Sequence, residues 1–504
     1  MSFFKLFFTI FIFTATTFAI TLQELRQMPK SIERDFFIWR FISDKNTTKA
    51  QAKQAIALRK TLNGKLKSAY FKKTGIKLSS PHRYRPTKKN LKDYKAALKE
   101  LKNKKNLYQG WLDLDEKKAL SYFNLSGRKN RKLLNKEIPS SKLIALSKFY
   151  GFNEFLYRVN RENLKNIQKA ILKTKFPQDS KIRYKYLLSL AFKALQQGDK
   201  TTAAYFFNLA NIKTNGRFEK DKTLFWLYMT TKDTKYLHKL AKSYDYNMYK
   251  FLALDFLNRP YPTPTKTPFL TKKNAPIDIS DPIEWAKLKK KLFSKHKKHN
   301  LYELAKTYAS KESLAYYVYI LTKASNYTHQ YFPIVYKEYI KDFSIHRQAL
   351  ILALAKQESQ FIPSAISRSF AVGLMQFMPF LVKEIAAKKK INLEIEDMFK
   401  PKYAIDFANT HLDYLEKYLY NPALVAYAYN GGITFTRRLV RNKKYFQNKE
   451  YEPYLSMELV PKQESNLYAK KVIANYVMYR KLLGSPIRVK EVLNKLITTK
   501  AHKF

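Results

Sequence analysis

Residues 346–361 read HRQALILALAKQESQF. Ile351, Leu354, Ala355 and Glu358 fall at i, i+3, i+4 and i+7, positions that share one helical face, so a carboxylate continues an apolar stripe. Pro363 follows closely; it disfavours helical geometry at Ile362 and cannot donate a hydrogen bond inside a helix, which predicts a helix end near Glu358. A carboxylate at such an end meets the negative pole of the helix macrodipole, and an apolar setting penalises its charged form. Both effects favour the protonated acid, the state a general acid needs near neutral pH. On periodicity alone, a glutamate at a frayed last turn that points to water is the plainer reading.

The sequence downstream changes that balance. Glu358-Ser359 is followed by Ser367, then by Gly373-Leu374-Met375-Gln376-Phe377-Met378-Pro379, and later by Ala428-Tyr429-Asn430-Gly431-Gly432. Upstream stands Tyr331-Phe332-Pro333, and downstream residues 458–468 read ELVPKQESNLY. In this order the segments resemble the soluble lytic transglycosylase family, whose lysozyme-like catalytic domain has E-S, G-L-M-Q and A-Y-N motifs. The resemblance covers about residues 330 to 490. It departs in two places: Phe370 stands before Ala371 where the family usually has glycine, and Gly431 stands where alanine usually follows A-Y-N. A phenylalanine at 370 is expected to narrow the cleft or shift a loop.

The resemblance implies an all-α lysozyme-like domain in which one glutamate does two jobs. Glu358 would protonate the oxygen between N-acetylmuramic acid and N-acetylglucosamine, then act as base on the muramic C6 hydroxyl, giving a 1,6-anhydro end. That one-carboxylate scheme differs from the acid pair of most glycoside hydrolases, and the next acid, Glu384, lies in a Lys/Ala run where a solvated role is expected. Ser367, Met375, Gln376, Met378, Tyr429, Asn430, Glu464 and Tyr468 would border the substrate. Gln376 can donate and accept toward sugar hydroxyls or N-acetyl groups. Met375 and Met378 suit an adaptable apolar wall or the core alike. Tyr429 offers a ring and a phenol; Asn430 fits a backbone-fixing role, Ser367 a substrate contact or a turn cap. Two rival readings keep the same fold: a hydrolytic muramidase and a non-catalytic peptidoglycan-binding protein, the latter supported by Phe370.

Residues 328–504 carry 28 Lys plus Arg and 15 Asp plus Glu, a net +13, while the whole 504-residue chain carries +57. The excess is therefore concentrated upstream. Hydrophobic residues make up 45% and aromatics 15%, too many for a disordered basic tail. Eleven glycines make turn-dense β architectures improbable, and the absence of cysteine excludes disulfides, thiolate chemistry and cysteine lipidation. His329, His346, His411 and His502, the histidines from 328 onward, show no metal-ligand spacing, so no metal or other cofactor is expected.

At the N-terminus, Lys5, an apolar run from Leu6 to Phe13 and small residues up to Ala19 form a secretory signal pattern, shorter than a membrane span. Export to the periplasm moves the polyanion partner from nucleic acid to peptidoglycan glycan strands. Other cell-wall enzymes are further candidate partners, and no nucleic acid and no stable membrane anchor are expected.

The remaining organisation follows from periodicity and breakers. Short amphipathic segments from residue 22 to about 257 suggest stacked helix hairpins, as in an α-superhelix without a fixed repeat. The clearest pair is 184–197 with 201–210, separated by Gly198 and Asp199; further helices are expected at 222–231, 234–243 and 247–257. Pro260, Pro262, Pro264 and Pro268 mark a connector, and helical patterning returns at 285–293 and 301–321. The expected domains are a signal peptide (1–19), a helical superhelix (20–258), a Pro-rich connector and helical linker (259–327) and a lysozyme-like domain (328–504). The superhelix would supply wall affinity and the last domain the chemistry.

Overall fold

The computed structural model describes residues 20–79, 86–293 and 300–498. The expected signal peptide, and His502, lie outside the described residues. The expected all-α class holds: among the described residues there are 28 α-helices, two short 3-10 helices and no strand. Two isolated β-bridges join Ile366 with Val372 and Val372 with Phe377. Among the described residues no helix is long and apolar enough to cross a membrane.

The chain divides into two compact units. The first comprises described residues within Met1–Ser80, Leu270–Ile320 and Glu358–Phe407. It begins with helices Leu22–Gln27, Ile32–Ser43, Lys49–Ala57 and Gly64–Thr74, whose N-cap side chains, Thr21, Ser31, Thr48 and Asn63, each accept a backbone N–H that the first turn leaves unpaired. Asp35 is buried in the second of these helices. It accepts from the amides of Lys60 and Thr61 at 2.6 and 2.8 Å and from the Thr61 hydroxyl at 2.7 Å, which fixes the loop before Gly64–Thr74.

The helical stretch expected over 301–321 is broken in two, Leu301–Thr307 and Leu314–Ala324. Ser310 and Ser313 cause the break. Their hydroxyls lie 2.7 Å apart, Ser310 Oγ accepts the Ser313 amide, and Ser313 Oγ donates to the Tyr308 carbonyl at 2.7 Å. Serine side chains thus take over bonds that a continuous helix would make with its backbone.

The second unit comprises described residues within Pro81–Phe269, Leu321–Gln357 and Ala408–Phe504. Here the expected hairpin appears as Tyr184–Gln196 and Lys200–Lys213. Gly198 adopts φ +80, as a chain leaving a helix requires, and Asp199 caps the next helix by accepting from the Thr202 amide. Helices Arg217–Thr231, Lys235–Ala241 and Met248–Phe256 follow, each close to its expected place. Aromatic rings fill the core between them: Trp226 packs edge-on to Phe192 and flat on Phe207, with centroids 5.1 and 5.8 Å away. Of the Pro-rich stretch, Thr265 is held by Gln330, through amide to carbonyl at 2.9 Å and Gln330 amide to Thr265 hydroxyl at 3.1 Å.

Candidate functional site

The helix Ile345–Glu358 ends on the predicted carboxylate. Residues Ala349 to Ala355 are all buried, so this helix is enclosed on every side rather than along the single stripe its periodicity suggested. Within the second unit its last turn is fastened by the aromatic-proline entry. Lys356 Nζ donates to the Tyr331 carbonyl at 2.6 Å and lies 4.4 Å from the centre of the Phe332 ring. Enclosure pulls the Lys356 ammonium down to about 8. Tyr479 holds the same entry from the other direction, donating its hydroxyl to the Pro333 carbonyl at 3.1 Å.

Within the first unit, Glu358 is half-buried, and the chain reverses directly after it: Gln360 and Phe361 both take positive φ, +52 and +69. Ser359 Oγ donates to the Leu374 carbonyl at 2.8 Å and ties this turn to the Gly-Leu-Met-Gln segment. That segment is a tight knot built on the two β-bridges. Gly373 is irreplaceable in it, with φ +79 and the place of a Cβ only 2.1 Å from the Met398 carbonyl oxygen. Ser367 Oγ accepts the Ala371 amide at 2.9 Å, so its turn-capping reading is realised. Gln376 Nε2 donates to the carbonyls of Ala365 and Gly373 at 3.0 and 2.8 Å, which fixes the side chain against its own loop. Met375 is fully buried and Met378 half-buried, at the start of helix Pro379–Lys389.

Phe370 takes φ +61, the left-handed region that favours glycine. Its ring is buried, 5.8 Å from Phe36 and 5.7 Å from Trp39, both on the early helix Ile32–Ser43. The expectation of a phenylalanine narrowing the cleft is thereby corrected: the ring is packed into the first unit's core. Glu384 is exposed and paired with Lys388 one turn on, at 2.7 Å, as its Lys/Ala surroundings predict.

The remaining motif residues belong to the second unit. Asn421 caps the helix Pro422–Gly431, with proline at its first position, and also donates to the Val492 carbonyl at 2.7 Å. Tyr429 is half-buried, its ring 5.6 Å from that of His411. Asn430 Oδ1 accepts from Ser465 Oγ at 2.6 Å, and its Nδ2 lies 3.4 Å from Glu464 Oε1. Glu464 is exposed and Tyr468 buried. Asn430 and Glu464 are thus brought together, with Ser465 between them as a partner that motif reading missed. Gly431 is explained by the same neighbours: a Cβ there would stand 2.7 Å from the Phe435 ring and 2.9 Å from Ser465 Oγ.

The sequence profile of the family described as "Transglycosylase SLT domain" matches residues 337–452. This stretch is similar to an SLT domain. A Haemophilus influenzae protein assigned by inference as a soluble lytic murein transglycosylase is 31% identical over 188 residues, covering 35% of this chain. The chain spans under a third, 30%, of the length of that curated relative. Two solved structures are also similar. The lytic transglycosylase Slt of Pseudomonas aeruginosa shares 16% identity at a TM-score of 0.45, with 91% of this chain and 80% of that one covered. The 70-kDa soluble lytic transglycosylase of Escherichia coli shares 16% at 0.48, with coverage of 95% and 87%.

Beyond the matched stretch, Glu458 opens the last motif and is buried in an ionic cluster. Its Oε2 lies 2.8 Å from Lys470 Nζ and 3.3 Å from Lys222 Nζ, while Oε1 accepts from the Tyr249 hydroxyl and, at 3.4 Å, from Trp226 Nε1. Burial opposes ionisation of this carboxyl, but Lys222, Lys470 and Tyr249 outweigh it and hold it down at about 2. No spacing in the sequence announces partners more than two hundred residues away. Among the described residues no group of three or more His, Cys, Asp and Glu is placed to hold a metal ion.

Proposed function

We propose that this chain is a lytic transglycosylase that cleaves the β-1,4 bond between N-acetylmuramic acid and N-acetylglucosamine in murein without consuming water. The observation that carries the reading is a half-buried glutamate, Glu358, as the last helical residue of its helix inside the matched stretch. Glu358 gives its proton to the bridging oxygen as the muramic C1–O bond breaks. The C6 hydroxyl of the same sugar then bonds to C1 and returns its proton to the carboxylate, leaving a 1,6-anhydro end and a regenerated acid. One carboxyl suffices because it gives and takes one proton in turn. Tyr429 and Asn430 would flank the sugars, with Asn430 set by Ser465. Met378 and Gln376 would shape the wall on the Gly-Leu-Met-Gln side.

The proposal extends to place and organisation. Residues 1–19 would direct export to the periplasm, 20–258 form a helical superhelix with affinity for the anionic wall, 259–327 connect, and 328–504 do the chemistry. The test is product analysis on purified sacculi. The parental protein is expected to release muropeptides lighter by one water than their reducing-end counterparts, and Glu358→Gln to release none. Reducing-end products would identify a hydrolytic muramidase instead, and undiminished anhydro products from Glu358→Gln would remove Glu358 from the mechanism.

A further inference from the structure

Four arginines, Arg128, Arg131, Arg158 and Arg161, line one cavity of about 360 Å³ in the second unit, together with Glu162. Two helices supply them, Arg128–Leu133 and Phe152–Arg161. One arginine is fully employed. Arg131 is buried and grips Glu162 through Nε at 3.0 Å and Nη2 at 2.6 Å, and its Nη1 donates to the carbonyls of Phe123 and Ser126. That fork joins the two helices and uses up the carboxylate in the lining.

The other three have donors to spare. Arg158 Nη2 pairs with Glu154 one turn back at 2.9 Å, but its Nε is buried with no hydrogen-bond partner. Arg161 lies 5.9 Å from the centre of the Tyr157 ring, and Tyr157 is 43% exposed. Neither Arg128 nor Arg161 has an ion pair among the described residues. Arg158 and Arg161 sit in the last turn of Phe152–Arg161, where cations complement the helix dipole. The dipole accounts for neither Arg128, which comes from another helix, nor the unpaired Arg158 Nε. Gathering guanidinium groups with two carboxylates between four of them costs electrostatic energy, which an entering anion relieves.

We propose that this cavity is an oxyanion-binding site, taking a carboxylate or phosphate group carried by an anionic ligand. The guanidinium fork matches both groups in geometry, and the exposed Tyr157 offers an apolar face beside the charge. The site stands apart from the proposed chemistry of Glu358 and does not depend on it.

Calorimetric titration of the full chain in chloride buffer tests the site, with inorganic phosphate in one arm and N-acetyl-alanyl-alanine, which bears a free carboxylate, in the other. Saturable one-site binding is expected in at least one arm, and the arm that binds identifies the source of the oxyanion. Arg128→Gln combined with Arg161→Gln, both exposed positions, is expected to weaken it at least about tenfold. Lys272→Gln with Lys273→Gln removes the same charge from exposed positions elsewhere and is expected to change it less than about twofold. Arg158→Lys keeps the charge, loses the Nε donor and should also weaken binding, with an unchanged melting curve. No saturable binding in either arm, or equal weakening by the lysine and arginine pairs, would overturn the proposal. The anhydro character of the released muropeptides should be the same in all these variants, so failure here is distinguishable from failure of the proposed activity.

Discussion

The Lys470 ammonium lies 2.8 Å from the Glu458 carboxylate, and neither side chain is exposed by more than 3%. With Lys222 also at 3.3 Å, one buried anion answers two cations. Burial already pulls the Lys470 ammonium down to about 7 and Glu458 is what holds its proton, so Glu458→Gln strips that lysine of its counter-charge, and breaking a buried pair from one side costs about 3–5 kcal/mol. Because the native carboxyl is held at about 2, below its ordinary 4.5, its stabilisation is fully present above 4.5 and is lost as pH falls toward 2. Urea unfolding is expected to show this acid-side loss in the parent and not in Glu458→Gln, which should be weaker throughout the neutral range.

Asp221 has the opposite sign. Burial raises its carboxyl to about 6, against hydrogen bonds from Ser243 Oγ and Asn247 Nδ2, each 2.6 Å from Oδ2. The native state then keeps a proton that the unfolded chain releases between 3.8 and 6, so this residue lowers stability as pH rises through that window. Both donors converge on one oxygen, which an asparagine carbonyl can replace. Asp221→Asn is expected to gain about 1 kcal/mol at pH 7 and to flatten the pH dependence of the unfolding midpoint across the window.

At Phe370 two effects compete, and a pair of variants separates them. Truncating a buried phenylalanine costs about 3–5 kcal/mol in lost packing, here against Phe36 and Trp39. Glycine then recovers about 1 kcal/mol at φ +61, where alanine stays strained. Both variants should be less stable than the parent, with Phe370→Gly the more stable of the two by about 1 kcal/mol in denaturant titrations.

Gly431→Ala installs the residue usual in the resembling family and is nonetheless expected to harm this protein. Its Cβ would meet the Phe435 ring and Ser465 Oγ, and overpacking of this kind costs about 1–3 kcal/mol. Displacing Ser465 also frees Asn430, so muropeptide release should fall further than Ser465→Ala alone makes it fall, measured at a temperature where both variants are folded.

Helix boundaries were legible where stop and start signals are neighbours in sequence, as at Gly198-Asp199, because capping is settled within a few residues. The carboxylate at a helix end was legible from Pro363 for the same reason. What Gln376 does was not, since its choice of the Ala365 carbonyl depends on two β-bridges that fold the segment back on itself. Apolar periodicity across 301–321 hid the Ser310–Ser313 break, because hydroxyl capture of backbone groups leaves the apolar pattern intact. Phe370 was visible as a departure, but its direction rests on Phe36 and Trp39, more than 300 residues earlier.

Each compact unit is stitched from three separate stretches of chain. A ribosome therefore finishes neither early. Phe36 waits for Phe370 and Phe399, whose rings lie 5.8 and 6.1 Å from it in the native state. At roughly 5–20 residues per second, that interval is on the order of 20 to 70 s. For that time the aromatic face of one of the first helices made has no native cover from the loop that later buries it. A nascent chain of this kind invites a holdase, and a stop codon anywhere before Glu358 would leave both units without their closing segments rather than one domain whole and another missing.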